Sequence, residues 1–223
     1  MHTLTAADFA DTGQWRLIIT IGFSGLEAWL ENTIHTDIAA QNLCSCHWEA
    51  DRSQLRACLE EAVFNTPRLL DDFATKIILF DKHTLFIPTH VAEEIEGGEV
   101  KLYNEIYVAQ PSDVMYDRFR DITAVWSMAP GIKNFLLRTF PGARITCNLL
   151  EKVKKAFENS IEPTLMIFKR GDEADFILTE GSNLLAASTR NITGEIDLSP
   201  VFEEIVEAYG LSLEQVNVII SES

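Results

Sequence analysis

Residues Thr164–Arg190 read TLMIFKRGDEADFILTEGSNLLAASTR, three short apolar runs separated by two polar, glycine-containing turns. Arg170-Gly171-Asp172-Glu173 divides the first two runs, and Glu180-Gly181-Ser182-Asn183 divides the second two. Short runs rich in Ile, Leu, Phe and Thr, bounded by Gly, Asn and Asp, predict an antiparallel three-strand meander. The same pattern stands near the start of the chain: WRLIITI (15–21), LEAWLEN (26–32) and DIAAQNLCSCHW (37–48), with Gly22-Phe23-Ser24-Gly25 at the first turn. Glycines at Gly22 and Gly25 would permit positive φ there. An amphipathic helix pattern follows each meander, so the chain reads as two related halves.

Working outward, Asp51 or Ser53 is the expected cap of a helix running to Phe64, with Leu55, Cys58, Leu59, Ala62 and Val63 on one stripe. Thr66-Pro67 stops it. Lys76–Phe80 and Thr84–Ile87 read as strands, and Thr89 as the cap of a short helix over His90–Glu96 that Gly97-Gly98 ends. In the middle, Tyr103–Ala109 alternates like a strand, Ser112–Arg120 fits a short helix or a bent strand, and Ile122–Met128 fits a strand. A helix is expected over Gly131–Phe140, a strand over Arg144–Cys147, and a helix over Asn148–Asn159 with Leu149, Leu150, Val153, Ala156 and Phe157 inward. After the second meander, Ser199 is the expected cap of a helix with Pro200 at its first position, and Glu214–Ile220 ends in the strand VNVII. The fold class is α/β (α+β): two lobes, 1–100 and 101–223, each a mixed sheet with a meander and flanking helices.

Composition narrows the function classes. The 223 residues carry 34 acidic against 18 basic side chains, a net charge of −16 that repels phosphate backbones and argues against nucleic-acid binding. The densest basic cluster, Lys152-Val153-Lys154-Lys155, reads as a solvated helix face. No apolar run reaches the ~18–20 residues of a membrane helix, and MHTLTAADFADTG lacks the charged-then-apolar order of a signal peptide, so a cytoplasmic protein without membrane insertion is expected. Cys44, Cys46, Cys58 and Cys147 fit that compartment as reduced thiols.

Meander, helix and strand, repeated, resembles the two ribonuclease-H-like halves of the actin/hexokinase/heat-shock-ATPase superfamily. More closely, the chain resembles an uncharacterised bacterial family of domains of unknown function with a diverged version of that fold. HTLFIPTHVAEE (83–94), the run from Asn104 through Phe140-Pro141 to Leu150, and DFILTEGSNLLAAS (175–188) carry the likeness. Members of such families often carry a further C-terminal helix, so the C-terminal lobe reads as short. Working ATPases of the superfamily use a strand–turn–strand loop in each half, with an aspartate for Mg²⁺ and water and backbone N–H groups for phosphate, and paired glycines late in the second half. The resemblance places these devices at Thr20–Leu26, Phe168–Glu173 and Ile219–Ser223. The first loop has no Asp, the second has Lys169 and Arg170 at its strand end with Asp172 late in the turn, and the third reads Ser-Glu-Ser in place of glycines. All three depart from the working pattern.

The resemblance therefore implies a non-catalytic actin-like-fold scaffold acting through protein contacts, since related non-hydrolysing members serve as assembly scaffolds in secretion and pilus systems. No catalytic or metal-ligating residue and no obligatory cofactor is expected. The alternative is a nucleotide-binding protein or weak ATPase that holds ATP and Mg²⁺ in a degenerate inter-lobe cleft through Gly22, Ser24, Gly25, Gly171 and Asp172. Hairpin-turn geometry alone also explains those glycines. Cys44-Ser45-Cys46-His47 is the most metal-like string, but zinc sites space cysteines more widely and need four ligands, so ordinary strand cysteines account for it. His83, His90, Glu93 and Glu94 match no standard zinc motif, Asp71-Asp72 reads as solvated, and no Ser–His–Asp arrangement, nucleophile elbow or dinucleotide fingerprint occurs. Tyr103, Tyr107, Tyr116 and Trp126 could line a partner-binding face or lie in the core.

Overall fold

The computed structural model describes residues 12–22, 24–35, 37–49, 54–80, 84–95, 98–107, 114–158, 162–170, 173–192 and 198–222. Two compact units divide the chain. Unit 1 takes Met1–Lys82, Val100–Met115 and Trp126–Asn148, and unit 2 takes His83–Glu99, Tyr116–Val125 and Leu149–Ser223.

In unit 1 the first meander forms as expected. β1 (Trp15–Ile21), β2 (Gly25–Asn32) and β3 (Gln41–His47) are antiparallel neighbours. β4 (Thr75–Phe80) adds in parallel beside β1, and β8 (Arg144–Cys147) in parallel beside β4, giving the order β3-β2-β1-β4-β8. Alternation fixes the register: Leu17↔Leu30, Ile19↔Ala28 and Ile21↔Leu26 pair buried against buried. α1 (Leu55–Asn65) buries Leu55, Leu59, Ala62 and Val63, the predicted stripe apart from Cys58, which is half-buried. Asp51 and Ser53, the expected caps, lie outside the described residues; Gln54 occupies the cap position without a side-chain hydrogen bond. A 3₁₀ turn, Pro67–Leu70, follows. α4 (Ile132–Thr139) buries Ile132, Phe135 and Leu136.

Tyr103–Tyr107 corrects the expected strand over Tyr103–Ala109, of which Val108 and Ala109 lie outside the described residues. Residues Gly98–Tyr107 are a helix, α3. Tyr103, Glu105 and Tyr107 mimic a two-residue period, but Val100, Tyr103 and Tyr107 have helical spacing, and the rings of Tyr103 and Tyr107 lie 4.9 Å apart, as residues four apart on one helix face do. Gly98 takes φ of +65° and its N–H donates to Ile95 O at 2.8 Å, so it closes the turn after α2 (Thr89–Glu94) while opening α3.

Unit 2 holds the second meander, β9 (Thr164–Arg170), β10 (Glu173–Glu180) and β11 (Asn183–Asn191), with β12 (Asn217–Glu222) parallel to β9: order β11-β10-β9-β12. β10 is buried from Ala174 to Thr179 on both faces, which explains why its sequence is apolar without alternation there apart from Asp175 and Thr179. α5 (Asn148–Glu158) covers one face, where Leu149, Val153, Ala156 and Phe157 pack with Met166, Phe168 and Ile177. α6 (Ser199–Glu207) covers the other, with Ile205 and Val206 against Leu165, Ile167 and Phe176. Pro200 sits in its first turn as expected, but Leu198 rather than Ser199 is the cap. β5 (Leu85–Pro88), β7 (Ile122–Ser127) and β6 (Val114–Phe119) form a further sheet in the order β5-β7-β6, so the strand reading of Ser112–Arg120 is the one realised.

Candidate functional site

The turn between β1 and β2 is held from inside. Gly22 N–H donates to Gly25 O at 2.9 Å, and Trp48 N–H donates to Ser24 O at 2.9 Å. A phosphate loop aims such N–H groups outward, and the one on Gly22 is already engaged. Gly25 does not take positive φ, contrary to the expectation for it. A Cβ at this position would stand 2.5 Å from Cys46 O and 3.2 Å from His47 Nδ1, so its smallness serves the close approach of β2 to β3. The Ser24 side chain is exposed. Gly171 and Asp172 lie outside the described residues. Ser221 and Glu222, in the third expected loop, belong to β12 and not to a turn.

Cys44 and Cys46 are half-buried free thiols on one face of β3. Burial, reinforced by neighbouring Cys46, pushes the Cys44 thiol up to about 11 from an ordinary value of 9.0. Among the described residues, no three His, Cys, Asp or Glu side chains converge as a metal site would require. His90 is exposed in the first turn of α2, and His83 lies outside the described residues. Asp72, fully exposed, meets the largely buried Lys76 side chain at 3.4 Å, and Asp71 meets Arg68 at 4.0 Å in a surface pair. The central aromatics divide: Tyr103 and Trp126 are core, with Trp126 stacked on Phe80 at 5.9 Å, whereas Tyr107 and Tyr116 are exposed. The Tyr103 and Ser127 hydroxyls share a hydrogen bond of 3.2 Å.

Two features were not legible in the sequence. The first is a buried ion pair in unit 2. Lys152, expected on a solvated face, instead donates its Nζ to Asp175 Oδ2 at 2.5 Å, with side chains only 11% and 4% exposed. Thr189 Oγ1 donates to the other carboxylate oxygen, and the Lys152 ammonium sits 5.4 Å from the Phe168 ring centre. The Asp175↔Thr189 and Asp175↔Phe168 register delivers these partners. Asp175 stands alone as a carboxylate between Ala174 and Phe176 in an apolar run, and that is the one sequence signal for it.

The second is an open groove of about 570 Å³ on unit 1, lined by Glu60, Phe64, Leu70, Phe135, Arg138 and Thr139. Phe64 is 61% exposed and meets buried Phe135 edge-on at 6.3 Å; Leu70 is 42% exposed. Glu60 is held by Arg56 at 2.8 Å. The groove thus offers apolar surface and two rim charges, with neither thiol nor imidazole in its lining.

No helix among the described residues is long and apolar enough to cross a membrane. Residues 5–221 match the family described as Protein of unknown function (DUF3822). The chain is similar to a Bacteroides thetaiotaomicron protein with actin-like ATPase fold and unknown function: 19% identity, 97% of this chain and 85% of that one covered, TM-score 0.76. That likeness shows the fold, an actin-like ATPase fold, and agrees with the paired meanders. Weaker similarities are to the PilM-PilN type IV pilus biogenesis complex (14% identity, 87% and 70% covered, TM-score 0.44) and to an exopolyphosphatase from Cytophaga hutchinsonii (9%, 82% and 52%, TM-score 0.40). At those scores neither bears on function. No curated protein matches the chain.

Proposed function

The chain belongs to the family described as Protein of unknown function (DUF3822), and from that premise we propose that it is a non-catalytic actin-like-fold scaffold acting through protein contacts. The observation that carries this reading is the unit 1 groove. Phe64 and Leu70 stand in water around a concavity floored by Phe135, the form of a pocket that receives an apolar anchor from another protein. Burying such surface is worth about 25 cal/mol per Å² of apolar area, which favours a partner over continued exposure. Glu60 and Arg138 at the rim would orient the partner rather than bind it tightly. The internal hydrogen bonding of Gly22–Gly25 supports the non-catalytic half of the proposal.

A photo-crosslinking amino acid placed at Phe64 or at Leu70, in cells of the source organism, tests the groove. The expected result is one discrete protein adduct from these positions and none from Tyr209, an exposed aromatic on unit 2. Equal labelling from Phe64 and Tyr209, or none from either, contradicts it. The competing nucleotide-binding reading, with Gly22, Ser24, Gly25, Gly171 and Asp172 on the phosphate side, predicts no groove-specific adduct.

A further inference from the structure

The two thiols of β3 are placed by their register. Cys46 stands opposite Leu26 and Cys44 opposite Ala28, and both partners are fully buried. Residues directly opposite in an antiparallel pair share a face, so Cys44 and Cys46 lie in one row with Leu26, Ala28, Ile19 and Ile21. Ser45 and His47 alternate with them and are exposed on the other face. β3 ends its sheet, which leaves both thiols half-buried where the inner strands bury their residues fully. The irregularity in the β2–β3 pairing falls at Ala28/Trp29, so the backbone from Cys44 to Cys46 is in unbroken register. The Cys44 thiol donates to Cys46, and the hydroxyl of Thr66, the residue that ends α1, donates to Cys44.

That spacing separates two kinds of sulfur chemistry. Alternate residues of a strand stand about 6.7 Å apart. A disulfide draws its Cβ atoms to about 3.8 Å, so oxidising this pair would pull β3 out of its pairing with β2. A metal held in line between two sulfurs, with bonds of ~2.3 Å, sets them about 4.6 Å apart. Each thiol then leans inward by only about 1 Å along an undisturbed strand.

The number of ligands chooses the metal. Zinc takes four, and magnesium and calcium take six or more, chiefly oxygens. Among the described residues no third His, Cys, Asp or Glu joins these two, and Cys58 is not drawn to them. Thiolates select soft cations, of which Cu(I) is content with two ligands in line. The net charge of −16 favours the approach of any cation. Each thiol releases its proton to solvent as its sulfur bonds the metal, and the Thr66 hydroxyl shares the negative charge left on the complex.

We propose that Cys44 and Cys46 form a two-coordinate site for a soft monovalent cation, Cu(I), reached from the open edge of β3. The site is separate from the groove, whose lining holds no thiol.

The test titrates the full chain, under nitrogen, with Cu(I) held as its coloured bicinchoninate complex. Wild type and Cys58→Ser should each withdraw one equivalent of copper. Cys44→Ser and Cys46→Ser should bind it at least about tenfold more weakly. Zn(II) offered with a chromophoric indicator should stay with the indicator. Thermal midpoints of the variants separate a lost ligand from a lost fold. X-ray absorption on the copper-loaded wild type reads the site without any substitution, and should show two sulfur neighbours and no nitrogen. No withdrawal by the wild type, an equal loss in Cys58→Ser, or a third neighbour on the copper overturns the proposal. So does a Cys44–Cys46 disulfide formed with glutathione disulfide at an unchanged midpoint, because the strand would then tolerate the closer spacing.

Discussion

Replacing Lys152 by methionine keeps most of the side-chain volume and removes its ammonium, leaving the Asp175 carboxylate 4% exposed with Thr189 Oγ1 as its remaining neutral partner. For charge centres ~4 Å apart at an effective dielectric of ~20, the gross attraction is about 4 kcal/mol. Desolvation of both ions offsets much of that, so the pair adds little net stability over an apolar substitute, whereas breaking it costs about 3–5 kcal/mol. At ~2–4 °C per kcal/mol for a chain of this size, Lys152→Met should lower the midpoint by ~6–20 °C. Asp175→Leu should cost less, because the Lys152 stem can carry its ammonium toward solvent. The double variant should return to within about 1.5 kcal/mol of the wild type, which corresponds to a coupling energy of roughly 3 kcal/mol. Urea unfolding followed by far-ultraviolet circular dichroism measures each corner of this cycle. Tryptophan fluorescence adds a separate reading of unit 1, since Trp15, Trp29, Trp48 and Trp126 all belong to it. A loss under about 1 kcal/mol for Lys152→Met would refute the reasoning, because that is how a solvated surface pair behaves.

Other outcomes follow from the first sheet. Gly25→Ala should cost about 1–3 kcal/mol, because its new methyl would meet the Cys46 carbonyl at 2.5 Å, while Ser24→Ala next to it should stay within about 0.5 kcal/mol; chemical denaturation separates the two. Cys44, with its thiol raised to about 11, should be alkylated by iodoacetamide slowly at pH 8 and faster as pH climbs toward 11, as peptide mapping by mass spectrometry would show. Its proton is held more tightly in the folded chain than in the unfolded one. The neutral thiol therefore contributes stability in full below about pH 9, and that contribution is lost as pH rises from 9.0 through about 11. Cys44→Ala should flatten this alkaline fall.

The meanders were legible because local signals agreed. In β1 and β2 the buried set Leu17, Ile19, Leu26, Ala28 and Leu30 alternates, and turn residues punctuate β9, β10 and β11 where the chain reverses. α3 was misread because two tyrosines four residues apart, with Glu105 between them, satisfy both periods over so short a window. Lys152 looked solvated because its neighbours Lys154 and Lys155 are basic, and its partner Asp175 lies 23 residues away, brought close only by the packing of α5 on the sheet. Gly25 read as a turn residue, since close approach to Cys46 depends on the β2–β3 register, which no local pattern encodes. The groove was hidden for a similar reason: Phe64 and Phe135 come from helices far apart in sequence.

The central claim, a partner-binding scaffold that does not work on nucleotides, is tested most directly by thermal unfolding with and without 1 mM Mg·ATP. A site with a dissociation constant near 10 μM would be at about 100 times that value, adding about 2.7 kcal/mol and raising the midpoint by roughly 5–11 °C. The account predicts an unchanged midpoint. A rise of that size, abolished by substituting Gly22, would contradict it and assign the β1–β2 turn to phosphate.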